Sequence, residues 1–204
     1  MNIDPDLPVP GRSELILGGQ KSGKSRRAEL LARTWLEGGS THQAVLIATA
    51  QPWDAEMQVR IARHQADRAV RVPGMRTLEE PRQLAQAIQA HSAPDTLLVV
   101  DCLTLWLTNW LMPMHPGDES FSVPNQPLAL ASIEAIALLL EAIAAAPGPL
   151  VLVGNEIGLG VIPMGAEVRA FVDALGLLNQ QVAQVCERVT LMAAGLPLTL
   201  KAAN

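Results

Sequence analysis

The run Gly18-Gly19-Gln20-Lys21-Ser22-Gly23-Lys24-Ser25 has the residue types and spacing to grip a polyphosphate chain. Such a chain is met best by backbone N–H groups converging in a tight turn that no side chain obstructs, and Gly18 and Gly23 permit that turn. Lys24 adds a compact positive charge for the β- and γ-phosphates, and the Ser25 hydroxyl is suited to Mg2+. The pattern reads as a nucleoside triphosphate site. Its plainer reading is a flexible glycine turn with a solvated lysine, and the flanking sequence decides between the two. A short apolar run precedes the motif and a helical pattern follows it, which is the strand–loop–helix setting that a phosphate loop requires.

Other residues could add chemistry to that loop. Asp101 closes the apolar run 96–100 and fits two roles: an acid holding the water shell of a metal, or the N-cap of a helix starting at 103. His64 lies in a helical pattern with Arg60 and Arg68 at i−4 and i+4, a spacing that lines the three along one face. Two guanidinium groups so placed would hold phosphate oxygens and offset developing charge. On residue types alone, however, a histidine among arginines is more often a solvated surface residue. Glu156 sits in a glycine-bearing stretch and could position a hydroxyl or a metal-bound water, or the stretch is a simple strand-to-helix connection. Trp106 and Trp110, spaced i, i+4, read as core or subunit packing. His42, His91 and His115 receive no role.

Elements that position these residues follow from periodicity. Apolar runs at 14–17, 44–48, 96–100, 150–153 and 189–192 predict strands, with 198–200 as an edge strand. Helical patterns fall at 24–36, 54–67, 81–91, 128–145 and 166–187, with Asp54 as the N-cap of the second. This alternation of strand and helix predicts an α/β fold of the P-loop NTPase, RecA-like type, a mostly parallel sheet flanked by helices on both faces. The prolines between 112 and 127 predict a surface loop.

Composition restricts the partners. The 204 residues suit a single α/β domain, placed at 14–204 behind a flexible, acidic, proline-bearing leader at 1–13. With a net charge of −5 the chain offers no basic field for a nucleic-acid backbone, so polyphosphate must be held locally. Cys102 and Cys186 lack metal or disulfide spacing and read as buried, reduced thiols. No run reaches the roughly 18 apolar residues of a membrane span, since Glu134 and Glu141 interrupt the longest one. A cytoplasmic protein is expected.

Five segments carry a family resemblance. They are Gly18-Gly19-Gln20-Lys21-Ser22-Gly23-Lys24-Ser25-Arg26; Ile47-Ala48-Thr49-Ala50 with Asp54, Glu56 and Met57; Arg60-Ile61-Ala62-Arg63-His64 with Arg68; Asp101-Cys102-Leu103-Thr104-Leu105-Trp106-Leu107-Thr108-Asn109; and Asn155-Glu156-Ile157-Gly158-Leu159-Gly160-Val161-Ile162-Pro163. Arg169, Asp173, Gly176, Asn179 and Gln180 follow. In this order and spacing, over nearly the whole chain, they resemble the bifunctional adenosylcobinamide kinase/adenosylcobinamide-phosphate guanylyltransferase family of cobalamin biosynthesis.

The resemblance implies two reactions on one corrinoid. Adenosylcobinamide is phosphorylated with ATP or GTP, and GMP then passes from GTP through a guanylyl-histidine at His64 to adenosylcobinamide phosphate. Carried over residue by residue, it implies a nucleotide site built from the loop, Arg60, Arg68, Asp101 and Glu156, with Mg2+ at Ser25 and Asp101. It also implies a trimer, for which the apolar segment 106–112 offers an interface patch. Where relatives commonly have Arg-Pro and a later Trp, this chain has Ala69 after Arg68 and Met75 before Arg76. Arg76 and Glu79 are accordingly given no role. An enzyme keeping only one of the two activities, or a RecA-like nucleotide-dependent regulator, are the rival readings, and His64 among its arginines argues against the regulator.

Overall fold

Near-continuous apolarity with period-two geometry sends each strand's side chains alternately to two covered faces of one sheet. The computed structural model describes residues 11–52, 54–112 and 130–202. Within them the chain runs β1 (Ser13–Gly18), α1 (Lys24–Glu37), β2 (Gln43–Ala48), α2 (Ala55–Arg71), β3 (Arg76–Glu79), α3 (Leu84–His91), β4 (Thr96–Asp101), α4 (Leu103–Leu111), α5 (Leu130–Ala145), β5 (Leu150–Val153), α6 (Ala166–Val185), β6 (Arg188–Ala193) and β7 (Leu196–Lys201). Strand order is β3-β2-β4-β5-β1-β6-β7. Among the described residues every strand pair is parallel except β6 with β7.

The two faces bury separate clusters. Leu15, Leu17, Val45, Ile47, Leu98, Val100, Leu150 and Leu152 pack with residues of α3, α4, α5 and α6, whereas Ile16, Leu46, Val99, Val151 and Val153 pack with Ala28, Leu31 and Ala32 of α1. Helices therefore flank the sheet on both faces, as expected. Each fully buried Leu or Ile contributes about 1.5–3 kcal/mol relative to exposure. Because the central strands are parallel, the ends of β1, β2, β4 and β5 lie along one edge: Ile16 pairs with Val153, Asp101 with Val153, and Ala48 with Asp101.

Some expectations are corrected. β3, with sequence Arg-Thr-Leu-Glu, is absent from the apolar pattern because it is an edge strand whose residues are mostly exposed. Segment 106–112 is no interface patch in its first half: Trp106 and Leu107 are buried in the core, and the Trp106 indole donates to Arg82 O at 2.9 Å. Trp106 thus fits its packing role, and Trp110 lies beneath the Arg82 guanidinium at 4.7 Å. Of the leader, residues 1–10 lie outside the described residues and Ser13 already belongs to β1. Residues 113–127 of the proline-bearing loop, with His115, also lie outside them. Asp54 caps α2 as expected, its Oδ1 accepting from Met57 N at 2.7 Å.

Candidate active site

The phosphate loop joins β1 to α1 and takes its shape from glycine. Gly18 has φ of +152°, and a Cβ there would meet Met192 O at 2.5 Å and Ser22 Oγ at 2.6 Å. Gly23, with φ of +104°, is the N-cap of α1 and offers no capping side chain, while the first turn carries no acid. The N–H groups at this helix end are therefore left for an anion. Gly19, Gln20 and Lys21 are exposed at the loop's outer side, Lys21 in a left-handed conformation with φ of 56°. Ser22 Oγ is buried without a hydrogen-bond partner among the described residues, an orphaned polar atom inside the cradle.

Lys24 spans the loop from below, its ammonium donating to Gly19 O at 2.7 Å. Burial pushes its pKa below the ordinary lysine value, and Cys102 and Asp101 pull it back. Asp101 thus acts electrostatically on the loop's lysine from the end of β4. The N-cap of α4 is Cys102, with Asp101 the last residue of β4, so the capping alternative for Asp101 fails. Neither the Asp101 carboxylate nor the Ser25 hydroxyl has a hydrogen-bond partner among the described residues. Both are hard oxygen donors beside a phosphate cradle, which fits Mg2+ bound by one or two protein oxygens with phosphates and water completing its shell. Among the described residues no group of three or more His, Cys, Asp or Glu could hold a metal without such help.

A network of small polar side chains fixes the strand ends around the loop. Thr49 Oγ1 donates to Cys102 O at 2.7 Å and accepts from Cys102 N at 2.9 Å. Asn109 Nδ2 donates to Thr49 O at 2.8 Å and to Pro81 O at 3.0 Å. Asn155 N donates to Thr104 Oγ1 at 2.9 Å, and Asn179 Nδ2 to Asn155 O at 3.0 Å. Glu156 joins the site by its backbone, whose N–H donates to Gly18 O at 3.1 Å. Its carboxylate accepts from Gly158 N at 3.0 Å and so closes its own turn. Thr49, Thr104, Asn109, Asn155 and Asn179 stand within the resembling segments or just after them, yet residue types alone gave them no individual role.

A second support is absent from the sequence reading. The turn between β6 and β7 carries Ala194 at φ 52° and Gly195 at φ 82°, the two left-handed residues a tight hairpin needs. Gly195 N donates to Ser22 O at 3.0 Å, and a Cβ on Gly23 would lie 3.3 Å from Gly195 Cα. The signal was available as Ala-Gly between two apolar runs.

His64 stands apart from this cluster. It and Arg60 are exposed on α2, and neither makes a hydrogen bond or ion pair among the described residues. Arg68 is buried and turns toward β3, Nη2 reaching Thr77 Oγ1 at 3.5 Å. The expected flanking of His64 by two guanidinium groups is therefore not formed here. Among the described residues of α2 only Arg68 is buried, and the helix is tied down at its C-terminal end by Arg71 Nη1 to Glu29 Oε2 at 2.6 Å. No helix among the described residues is long and apolar enough to cross a membrane.

Residues 14–200 match the family model described as cobinamide kinase / cobinamide phosphate guanyltransferase. The chain is 45% identical over 188 residues to the bifunctional adenosylcobalamin biosynthesis protein CobP of Pseudomonas aeruginosa, covering 92% of this chain and 96% of that one. It is 34% identical to the bifunctional adenosylcobalamin biosynthesis protein CobU of Salmonella typhimurium, covering 92% of this chain and 98% of that one. A solved protein from Pyrococcus horikoshii OT3 shares the fold at a TM-score of 0.53 and 12% identity, covering 100% of this chain and 94% of that one.

Proposed function

The chain belongs to the cobinamide kinase / cobinamide phosphate guanyltransferase family, and from that premise we propose how its own residues divide the two transfers. It is a bifunctional enzyme of cobalamin biosynthesis. In the kinase step ATP or GTP lies with its β- and γ-phosphates on the N–H groups of 18–25, held by Lys24; the hydroxyl of adenosylcobinamide attacks the γ-phosphorus, the bond to the β-phosphate oxygen breaks, ADP or GDP leaves, and the hydroxyl proton passes to solvent. Ser25 and Asp101 would hold Mg2+, which when bound offsets phosphate charge. Glu156 fixes the loop's floor through its N–H on Gly18 O.

In the second step an imidazole nitrogen of His64 attacks the α-phosphorus of GTP and the bond to the β-phosphate oxygen breaks, releasing pyrophosphate. An oxygen of adenosylcobinamide phosphate then attacks the guanylyl phosphorus, the P–N bond breaks, and adenosylcobinamide-GDP leaves with His64 restored. Arg60, exposed one turn before His64, supplies charge to the α-phosphate, while Arg68 anchors α2 against β3 through Thr77. Light packing of the His64 end of α2 supports this reading, because that face must approach a nucleotide held at the loop. Assembly as a trimer in the cytoplasm belongs to the same proposal, with the exposed Leu196, Leu198 and Leu200 of edge strand β7 as an apolar contact.

The observation that carries the proposal is the cradle itself: a glycine-shaped loop with Lys24 laid across it beside Asp101. Incubation with GTP labelled at the α-phosphate should leave acid-labile, alkali-stable label on the wild-type protein and none on His64→Ala. Wild-type protein that binds GTP and stays unlabelled would refute the histidine intermediate.

A further inference from the structure

The loop from β5 to α6 presents an apolar surface that the nucleotide chemistry does not use. Ile157, Leu159, Val161, Ile162 and Met164 are 40%, 81%, 95%, 78% and 95% exposed. Water is a poor neighbour for five exposed apolar side chains within eight residues, and apolar surface of this kind marks a binding face. The stretch is braced and not a loose strap. At one end Asn155 is held by Thr104 and Asn179, and Glu156 N by Gly18 O. At the other, Arg169 Nη1 donates to the carbonyl oxygens of Pro163 and Met164, at 2.9 and 2.5 Å. Between them Gly158 N is held by the Glu156 carboxylate. Bracing of the backbone with release of the side chains displays them to a partner at little entropic cost.

We infer that Leu159, Val161, Ile162 and Met164 form the platform on which the corrinoid macrocycle rests while its side arm reaches the phosphate loop. This deepens the function proposed above and rests on it. Location is the first argument: Glu156 touches Gly18, so the apolar stretch begins at the rim of the cradle, on the strand edge where ligands of open α/β sheets bind. Fit is the second. A corrin ring is broad, and its rim carries methyl groups between amide side chains. Such a ligand needs a wide apolar ledge with polar groups at its margin. The alternative occupant, a second copy of the chain, has a separate candidate in β7, which ends the sheet among the described residues and carries three exposed leucines.

The test compares wild type with Leu159→Ser/Val161→Ser and with Leu177→Ser on the exposed side of α6 in adenosylcobinamide phosphorylation, and measures cobinamide binding by equilibrium dialysis and assembly state by sedimentation. The serine pair should raise KM for the corrinoid and its dissociation constant about tenfold or more, with KM for ATP within twofold. Leu177→Ser, which removes an exposed apolar side chain outside the ledge, should keep the wild-type corrinoid KM. An unchanged corrinoid KM in the serine pair overturns the inference, and if its sedimentation alone has changed, the ledge is an interface between copies. A rise in both KM values together also overturns it, since the loop would then serve only to support the cradle. Absence of cobinamide binding by the wild type would instead strike the proposed function.

Discussion

Gly195 donates its backbone N–H to the carbonyl oxygen of Ser22 over 3.0 Å, so the β6–β7 turn bears on the phosphate loop from outside. The contact depends on a left-handed φ of 82° at Gly195, which a β-branched residue holds only under strain. Gly195→Val should raise the nucleotide KM about tenfold, corresponding to the 1–3 kcal/mol typical of such strain. Gly195→Asn, which tolerates this conformation, should recover most of the loss. Steady-state kinetics with ATP at saturating corrinoid checks both.

At the other end of β1 a buried charge cluster ties the loop's helix to the sheet. Glu14, 1% exposed, accepts from Arg27 at 3.1 Å and from Thr190 at 2.8 Å, with Arg188 at 3.7 Å. Removing one partner leaves uncompensated buried charge, so Arg27→Ala should lower unfolding free energy by about 3–5 kcal/mol. Urea denaturation measures it, and a loss below about 1 kcal/mol would count against the cluster's structural role.

Two buried thiols make stability fall in alkali. Burial pushes the Cys186 thiol from 9.0 up to about 12 and the Cys102 thiol up to about 11. A pKa raised in the folded state gives a contribution that is complete below pH 9.0 and is lost as pH rises through the native value. Lys24, lowered by burial, works in the opposite sense as the pH approaches 10.5. Cys186→Ala should therefore lose about 2 kcal/mol less stability than wild type between about pH 8 and pH 10.5. Urea midpoints under reducing conditions at both pH values decide it.

How far the sequence could be read depended on whether a role is local. The cradle was legible because glycine at 18 and 23, lysine at 24 and serine at 25 each answer a requirement set within a few residues, and the apolar strands were legible because both faces are covered. β3 was not, since an edge strand of Arg76, Thr77, Leu78 and Glu79 has no burial pattern to display. The Glu14–Arg27 pair and the Ser22–Gly195 contact were illegible for a different reason. Each joins residues brought together only when the sheet forms. His64 was singled out through the family resemblance, since on residue types alone an exposed histidine reads as solvated surface.

One cradle serving two transfers is the central claim, and the pair Lys24→Ala and His64→Ala tests it most directly. Both variants are assayed for adenosylcobinamide phosphorylation and, separately, for guanylylation of supplied adenosylcobinamide phosphate. Lys24→Ala should lose both activities by about a hundredfold or more, while His64→Ala should retain phosphorylation and lose guanylylation. Undiminished guanylylation in Lys24→Ala would contradict the account, because the two chemistries would then occupy separate sites.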